Sequence, residues 1–353
     1  MANSKKRILI LTNFSEKTNH SRLNHEISIL NEAGYSVECF LGNKGSKRIH
    51  IKIIEKLLFK FINVDVLFYL LANRNKFDIF FFYGLFTFNA LLFFPSDFRR
   101  KCIYQSLNHD VLYHTYELGI RMKFLKPFFS LLKPFAIQME KYLHSSCAST
   151  IVNSESLKNK FPSSTLIYYT SPLEGMVIQH SPTQNAAFVY LGQLRKEKIS
   201  ADFFDYIEKH LVKFFVFGKI KDNFIQKKIE SSDYCDYRGD LSIPKLQEAL
   251  EELSKSWNLI GVSLIQEPHK SYQEQNANKD IDYLAIGMPI FGNYRNTTRE
   301  LIEAGNGFFY DKFDVSRMTY AEYSSKSQNC LKAYEKYSNK QFKIQLLNIF
   351  SRL

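Results

Sequence analysis

The fold is decided first by residues 7–41, RILILTNFSEKTNHSRLNHEISILNEAGYSVECFL. Arg7–Thr12 is mostly apolar and predicts a buried strand. A polar stretch leads to Ser21–Ala33, whose leucines and isoleucines recur every three or four residues and predict a helix. Gly34 is placed to end that helix, and Tyr35–Leu41 predicts a second strand. Strand, helix and strand in this order predict a βαβ unit with a right-handed crossover.

The alternation continues along the chain in two sets. Further strands of the first set are predicted at 79–82, 101–105 and 150–152. The second set is predicted at 188–191, 214–217, 234–238, 258–264, 289–292 and 308–310. Between the sets, 170–185 has two prolines and little periodicity, which is typical of a linker.

Chain length favours two domains, because 353 residues exceed one comfortable core. We therefore predict an α/β protein with two doubly wound, Rossmann-like domains that face a central cleft. The predicted parts are a first domain 1–170, a linker 171–185, a second domain 186–330, and a C-terminal helix 331–353 able to pack back on the first domain.

Two stretches of the first domain need interpretation. Ile79–Pro95 is uncharged and about as long as the shortest membrane spans. Polar residues and a glycine interrupt it, so we interpret it as a buried strand that leads into a buried helix. Residues 115–144 are predicted to be helical and to be broken at Pro127 and Pro134.

Charge is concentrated in the first domain. The chain holds 47 Lys and Arg against 35 Asp and Glu, a net charge of +12. Residues 1–170 contain 23 basic and 12 acidic residues, whereas 171–353 contain 24 and 23. A basic domain beside a neutral one suggests an anionic partner, such as a lipid surface, a phosphorylated substrate or nucleic acid. The alternative is that these cations only keep a Phe-rich domain soluble.

The five cysteines, at positions 39, 102, 147, 235 and 330, are scattered. No C-x-x-C pair or histidine-rich stretch suggests a metal site. Isolated thiols are typical of a reducing cytosol. The short apolar run Ile8–Leu11 suits a first strand better than a secretory signal. We therefore expect a cytoplasmic protein.

The richest candidate site is Glu274–Pro289, EQNANKDIDYLAIGMP. Asn278 is placed to cap a helix that a glycine ends. A helix that starts just after a strand offers free N–H groups, and Lys279 adds a positive charge to this natural seat for a diphosphate. Glu274 and Asp282 are acceptors suited to sugar hydroxyls. The alternative is an ordinary capped surface helix with solvated charges.

This stretch resembles the nucleotide-sugar site of family 4 glycosyltransferases, which have the GT-B fold. The family carries a Glu, seven residues and a second Glu, then Gly-x-Pro; here the order is Glu274, seven residues, Asp282 and Gly287-Met-Pro289. Thr298–Asp311 is similar to the family's Glu-Leu-Ile, Gly-x-Gly and Asp stretch. Other similar segments follow in the family's order over most of the chain, at 21–22, 34–37, 140, 148–154, 190–198, 217–218 and 238–241.

The resemblance implies roles for residues of the helix. Glu274 is expected to contact the donor sugar as a catalytic residue, and Asp282 to bind the ribose of the nucleotide. Asn278 and Lys279 complete this part of the donor site. Asp280-Ile-Asp282 fits a D-x-D metal motif, but on a helix the two carboxylates diverge. The family needs no obligatory metal or cofactor, because basic residues and helix dipoles stabilise the leaving diphosphate.

The resemblance also covers the start of the second domain. The family's first strand there ends in a glycine, here Gly192, and a lysine that meets the diphosphate follows it, here Lys198. Where the family usually has Arg, this chain has Gln193. Arg195 is placed to reach the same anion from two residues later.

On the acceptor side, Asn108-His109-Asp110 is similar to a His-Asp pair at the family's cleft. His109 is expected to orient the reacting sugar as a second catalytic residue, with Asp110 and Arg22 as acceptor-side residues. The alternative is a structural or solvated loop histidine. The family's glycine-rich first loop is replaced here by Asn13–Asn19.

Two basic amphipathic stretches lie in the first domain. In 50–62, lysines recur every four residues opposite apolar side chains: Lys52, Lys56 and Lys60. In 121–141, one face holds Lys123, Lys126 and Lys133 and another holds Phe124, Leu125, Phe128, Leu132 and Phe135. Such helices predict contact with an anionic membrane surface. The alternative is that the apolar faces pack on the sheet.

Taken together, these features predict a retaining, metal-independent glycosyltransferase. It would move a sugar from a nucleotide-diphosphate donor to a saccharide acceptor, lipid-linked and at the cytosolic membrane face, in bacterial surface-polysaccharide synthesis. Three alternatives remain open: a sugar-nucleotide epimerase of the same fold, a non-catalytic GT-B partner subunit, and a nucleic-acid-binding protein. We disfavour the last, because the sequence contains no recognised nucleic-acid-binding module.

Overall fold

The structure is a computed structural model that describes residues 5–12, 21–41, 64–84, 89–106, 126–265, 277–293 and 296–353. The chain divides into two compact units. The first contains residues 1–168 and 342–353, and the second contains residues 169–341. The chain therefore passes between the units twice, at Tyr168–Tyr169 and at Gln341–Phe342. We call these two points the crossings.

The first unit is built on a parallel sheet. Its described strands are β1 (Arg7–Thr12), β2 (Ser36–Leu41), β3 (Ile79–Tyr83), β4 (Cys102–Ser106), β5 (Ser149–Val152) and β6 (Thr165–Leu166). They lie in the order β2-β1-β3-β4-β5-β6. The described helices are α1 (Ser21–Glu32), α2 (Val64–Asn73), α3 (Ser96–Arg99), α4 (Lys126–Ser146) and α5 (Glu155–Lys160).

The second unit has a second parallel sheet. Its strands are β7 (Asn185–Leu191), β8 (Lys213–Phe217), β9 (Cys235–Gly239), β10 (Trp257–Ser263), β11 (Ile290–Gly292) and β12 (Gly307–Phe309). Their order is β12-β11-β10-β7-β8-β9. The helices are α6 (Ala201–Lys209), α7 (Asn223–Ser231), α8 (Ile243–Ser254), α9 (Asn278–Ala285), α10 (Asn296–Leu301) and α11 (Tyr320–Tyr334). Helix α12 (Asn339–Phe350) begins in this unit, and from Phe342 onward it belongs to the first unit. The α/β class with two parallel sheets is as predicted.

The first sheet is buried on both faces. All five residues of β3, IFFFY, are buried, because alternate side chains enter different apolar clusters. Side chains of α1 and α12 pack in one cluster, and side chains of α2 and of the short 3-10 helix Asn89–Phe93 pack in the other. The stretch 79–95 thus begins as the predicted strand, and among its described residues the predicted helix is this short 3-10 helix. Among the described residues, no helix has the length and apolar character needed to cross a membrane.

Helix α4 differs from the prediction. Residues 115–125 of the predicted helix lie outside the described residues, and Lys126–Ser146 is one helix rather than several pieces. Pro127 lies in the first turn, where a backbone donor is not needed. Pro134 lies inside the helix, yet it and Ser130, whose carbonyl loses its helical donor, are both exposed, so water can reach that carbonyl.

The segment predicted as a linker, 171–185, lies within the second unit. Asn258 fastens it: the side chain accepts from the Ser181 N–H at 3.1 Å and donates to the carbonyls of Ser181 and Gln184, both at 2.9 Å. At the other end of the chain, α12 places four apolar side chains in the core of the first unit: Phe342, Leu346, Ile349 and Phe350.

Glycines at the carboxyl ends of neighbouring strands allow a close approach of the backbone. Gly218, after β8, has a φ of +118°, and a Cβ there would lie 2.1 Å from the Gly192 carbonyl oxygen. Gly239, at the end of β9, has a φ of +78° with no atom within 4 Å of such a Cβ. Gly218 therefore meets two constraints, whereas Gly239 meets only the backbone one.

Gly218→Ala is expected to lower the free energy of unfolding by about 3 kcal/mol, since left-handed backbone and steric overlap both oppose a Cβ. Gly239→Ala is the control and should cost about 1 kcal/mol, from the backbone alone. Urea unfolding followed by circular dichroism measures both. Equal losses in the two variants would contradict the close approach.

Candidate functional site

The strand order of the second sheet locates a ligand crevice. In doubly wound sheets, ligands bind beyond the carboxyl ends of the strands at the point where the order reverses. Here that point lies between β7 and β10, whose last paired residues are Val189 and Gly261. Beyond this pair the two strands continue without pairing to each other.

Tyr283 of α9 fills the gap between the two strands. Its ring packs on Gly261, where a Cβ would lie only 2.4 Å from ring carbons. Its hydroxyl accepts from the Leu191 N–H at 3.2 Å and lies 3.3 Å and 3.1 Å from the carbonyl oxygens of Val189 and Val262. The tyrosine is fully buried, and burial raises the pKa of its hydroxyl well above the usual value. It therefore fixes α9 at the reversal point of the sheet.

The loop after β7 carries three predicted donor residues. Gly192, with a φ of +109°, donates its N–H to the Phe217 carbonyl at 2.9 Å. Leu194 then pairs with Ile220, so the loop runs beside the residues that follow β8. The Lys198 N–H donates to the Arg195 carbonyl at 2.9 Å, which closes a turn. Arg195 is exposed and Lys198 is half-buried, both near the carboxyl edge of the sheet.

The first turn of α9 lies next to this loop. The Lys279 ammonium is 4.1 Å from the centroid of the Tyr190 ring. Tyr190 is buried in β7, and its hydroxyl donates to the Gln193 carbonyl at 3.0 Å. Through Tyr190, the structure brings Lys279 together with the loop that holds Gly192 and Arg195. A positive charge, a helix N-terminus and exposed backbone at one sheet edge can bind an anion.

The predicted cap of this helix was wrong. Asn278 was expected to precede the helix and cap it, but the helix begins at Asn278 and the cap position is Ala277, without a side-chain hydrogen bond. Asn278 is exposed in the first turn. Its side chain therefore does not cap the first turn of α9.

The two aspartates of α9 diverge as predicted for a helix. Asp280 is buried and accepts from Thr298 Oγ1 at 2.6 Å. Asp282 Oδ1 accepts from Ser171 Oγ at 2.7 Å and from the Tyr169 hydroxyl at 3.4 Å. Burial raises the pKa of Asp282 to about 7, although both hydrogen bonds lower it. The described residues include no group of three potential metal-ligating side chains.

The end of α9 and the following stretch hold it in place. Gly287 has a φ of +70°, and the Met288 N–H donates back to the Tyr283 carbonyl at 2.9 Å, which ends the helix. Gly307 starts β12 so close to β11 that a Cβ would lie 2.0 Å from the Ile290 carbonyl oxygen. In the Gly-x-Gly pattern of this region, strand packing therefore requires Gly307, whereas Gly305 has a left-handed backbone with a φ of +89°.

Several predicted site residues lie outside the described residues: His109, Asp110 and Glu274. Arg22 is described and lies in the first unit with only 7% of its surface exposed. Its Nε donates to Glu26 Oε1 at 2.9 Å, and Gln105 Nε2 donates to the same oxygen at 3.1 Å. Arg22, which was predicted to lie on the acceptor side, therefore forms an ion pair with the fully buried carboxylate of Glu26.

Sequence reasoning missed Tyr190 and Tyr283, which organise the site. In the sequence both read as apolar core positions, and nothing there identifies a hydroxyl partner. A signal for Tyr283 exists in Gly261, because a glycine inside an otherwise apolar strand indicates the close approach of another group. Ser171 was also missed, since its partner Asp282 is 111 positions away.

No family model matches the chain, and no curated protein is significantly similar to it in sequence. Solved structures do match. Anabaena HepE, in complex with UDP and glucose, has a TM-score of 0.65 at 12% identity, over 99% of this chain and 100% of HepE. The apo form of the lipopolysaccharide outer core galactosyltransferase WaaB has a TM-score of 0.63 at 14% identity, over 99% of this chain and 100% of WaaB. A glycosyltransferase of avilamycin A biosynthesis has a TM-score of 0.53 at 9% identity, over 98% of this chain and 97% of that protein.

These similar structures are glycosyltransferases of the GT-B class, and the present chain has their fold along nearly its whole length. Two parallel six-stranded sheets, each in its own unit, are the basis of that likeness. The fold expected from the resemblance is therefore confirmed. At these identities the likeness establishes the fold alone.

Tyr283→Phe is expected to lower the free energy of unfolding by about 1–3 kcal/mol, because it leaves buried backbone groups of β7 and β10 without their partner. Tyr237→Phe is a matched control: its hydroxyl also donates to a backbone carbonyl, that of Gly218 at 3.0 Å, but the residue is 46% exposed. It should cost less than about 0.5 kcal/mol. Chemical unfolding of both variants tests the difference, and no excess loss for Tyr283→Phe would contradict it.

Proposed function

We propose that the protein is a glycosyltransferase that takes a sugar from a nucleotide-diphosphate donor bound at the start of α9. The observation that carries this proposal is Lys279, held over Tyr190 beside the Gly192 loop at the reversal point of the second sheet. Doubly wound domains bind nucleotides at this point. The similar structures support the proposal, since HepE was solved with UDP and with UDP-glucose.

In this proposal, positive charge stabilises the leaving diphosphate. Lys279 and the first-turn N–H groups of α9 bind it from one side, and Lys198 and Arg195 from the loop after β7. Charge develops on the diphosphate as the bond to the sugar breaks, so cations fixed in advance lower the barrier. This chemistry needs no metal, and we propose that the reaction is metal-independent with the nucleotide sugar as substrate.

The finer assignments follow the resemblance to family 4 glycosyltransferases. We assign Glu274 to the donor sugar, His109 to the reacting centre, and Asp282 to the ribose. Asp110 is proposed on the acceptor side. We also propose retention of the anomeric configuration and a role in bacterial surface-polysaccharide synthesis. WaaB, a lipopolysaccharide galactosyltransferase of similar fold, supports a saccharide acceptor.

Lys279→Ala and Lys198→Ala are each expected to weaken nucleotide binding at least about tenfold, because a charge-assisted contact to the diphosphate contributes about 1.5–3 kcal/mol. Lys332→Ala is the control, since that exposed lysine lies in the last turn of α11. Titration calorimetry with UDP, GDP, ADP and dTDP measures the affinities. Wild-type affinity in both site variants would refute the proposed donor site.

A second measurement separates transfer from the alternatives. The protein is incubated with a labelled UDP-sugar and a lipid extract as the source of acceptor. Transfer releases UDP and moves the label into the lipid or saccharide fraction. An epimerase converts the donor without transfer, and a non-catalytic subunit binds the nucleotide without turnover. Either result would replace the proposed reaction while keeping the fold.

We further propose that the protein binds the anionic cytosolic face of a membrane through α4. Three large side chains on one stripe of this helix are exposed: Leu131 by 77%, Phe135 by 70% and Tyr142 by 53%. They are spaced four and seven residues apart, so they project on the same side. Of the predicted lysines, Lys133 is half-buried on α4, while Lys123 lies outside the described residues. The excess positive charge of residues 1–170 supports an anionic partner.

Leu131→Glu with Phe135→Glu is expected to reduce binding to vesicles of phosphatidylglycerol and phosphatidylcholine by about tenfold, because charges on the stripe oppose insertion at the interface. Phe224→Glu is the control, as Phe224 is 51% exposed but belongs to the second unit. Vesicle co-sedimentation measures the binding. Equal binding of the stripe variant and the control would exclude α4 as the membrane surface.

A further inference from the structure

A polar network surrounds both crossings on the side of the second unit. Thr170 is the second residue of this unit, which begins at Tyr169. Its Oγ1 donates to Asn339 Oδ1 at 3.0 Å. Asn339 lies two residues before the unit ends at Gln341. This hydrogen bond joins two chain segments that are 169 positions apart in sequence. The two crossings are therefore linked directly.

The Glu174 carboxylate is the centre of this network. Its Oε2 accepts from the Tyr334 hydroxyl at 2.8 Å and from the Asn339 N–H at 2.7 Å. The Tyr334 hydroxyl in turn accepts from the Ser171 N–H at 3.1 Å. Ser171 and Tyr334 are buried, so these bonds are shielded from water and costly to break.

Helix α9 belongs to the same network. Ser171 donates from Oγ to Asp282 at 2.7 Å, and Oγ also accepts from the Leu173 N–H at 3.0 Å. Asp282 is one turn further along α9 than Lys279, whose ammonium lies over Tyr190 at the candidate donor site. One short helix thus contacts the donor site through its first turn and the first crossing through its second.

The first unit fastens the same two chain segments from its own side. Arg22 Nη2 donates to the Ile167 carbonyl at 3.5 Å, and its guanidinium lies 5.4 Å from the centroid of the Phe342 ring. Ile167 comes just before the first crossing, and Phe342 just after the second. In each unit the chain is therefore held up to within a few residues of the crossings.

We propose that Asp282, assigned above to the ribose, also couples nucleotide binding at α9 to the two crossings through its hydrogen bond to Ser171. This inference rests on the proposed donor site. An anion drawn to the first turn of α9 displaces or stiffens the helix, and the Asp282–Ser171 bond passes that change to Thr170, Glu174 and Asn339. Coupling is reciprocal, so weakening this bond also changes the nucleotide affinity.

The test compares hydrogen exchange with and without UDP, or whichever of GDP, ADP and dTDP binds more tightly, read by mass spectrometry. In the wild type, nucleotide is expected to slow exchange at least about twofold in peptides covering 165–175 and 330–342. Ser171→Ala should still bind nucleotide, with about fivefold lower affinity, and should lose the protection at 330–342. Ser171→Thr retains the hydroxyl and should restore it.

Ser181→Ala is the matched control. Ser181 is half-buried in the same segment, and its hydroxyl bonds to the exposed Thr183, two residues away. Its exchange pattern should equal that of the wild type. Nucleotide binding without protection at 330–342 in the wild type, or unchanged protection in Ser171→Ala, overturns the coupling alone. No nucleotide binding to any variant by calorimetry overturns the proposed function as well.

Discussion

The hydroxyl of Tyr283 lies within 3.3 Å of three backbone groups of β7 and β10, at the point where these strands stop pairing. Its ring rests on Gly261, the position in β10 that has no side chain to displace it. The contact of the ring with Gly261 sets the distance of α9 from the sheet, and the hydrogen bonds of the hydroxyl set the rotation of the helix about its axis. The position of Lys279 over Tyr190 and that of Asp282 beside Ser171 both follow from this contact.

The strands could be predicted from the sequence because a parallel strand buried on both faces is a run of apolar residues, as in β3 and β8. The place of Lys279 in the first turn of a helix could be predicted because a helix start is a local feature of the sequence. The partners of Asp282 could not, since Tyr169 and Ser171 are more than a hundred positions away. Nor could the cap at Ala277, because an asparagine is the better cap by residue type alone.

Some of the basic residues in the first half of the chain pair with buried acids rather than face solvent. Arg22 pairs with Glu26 and Lys160 pairs with Glu140, and both carboxylates are fully buried. Such cations are needed to compensate an acid inside the unit, since a buried charge left unpaired is strongly destabilising. Part of the basic composition thus serves the interior. The surface that a partner meets is defined by exposed residues, and in α4 these include Leu131, Phe135 and Tyr142.

The short length of α9 decides how it responds to a ligand. The helix has eight residues, and it is held along its whole length: Tyr283 contacts the sheet, Thr298 binds Asp280, and the Met288 N–H closes its end. A helix of two turns with such contacts cannot bend to absorb a displacement of its first turn. A change at Lys279 must therefore move the helix as a body or stiffen it. In the proposed coupling Asp282 moves with it, and its hydrogen bond to Ser171 carries that motion to the first crossing.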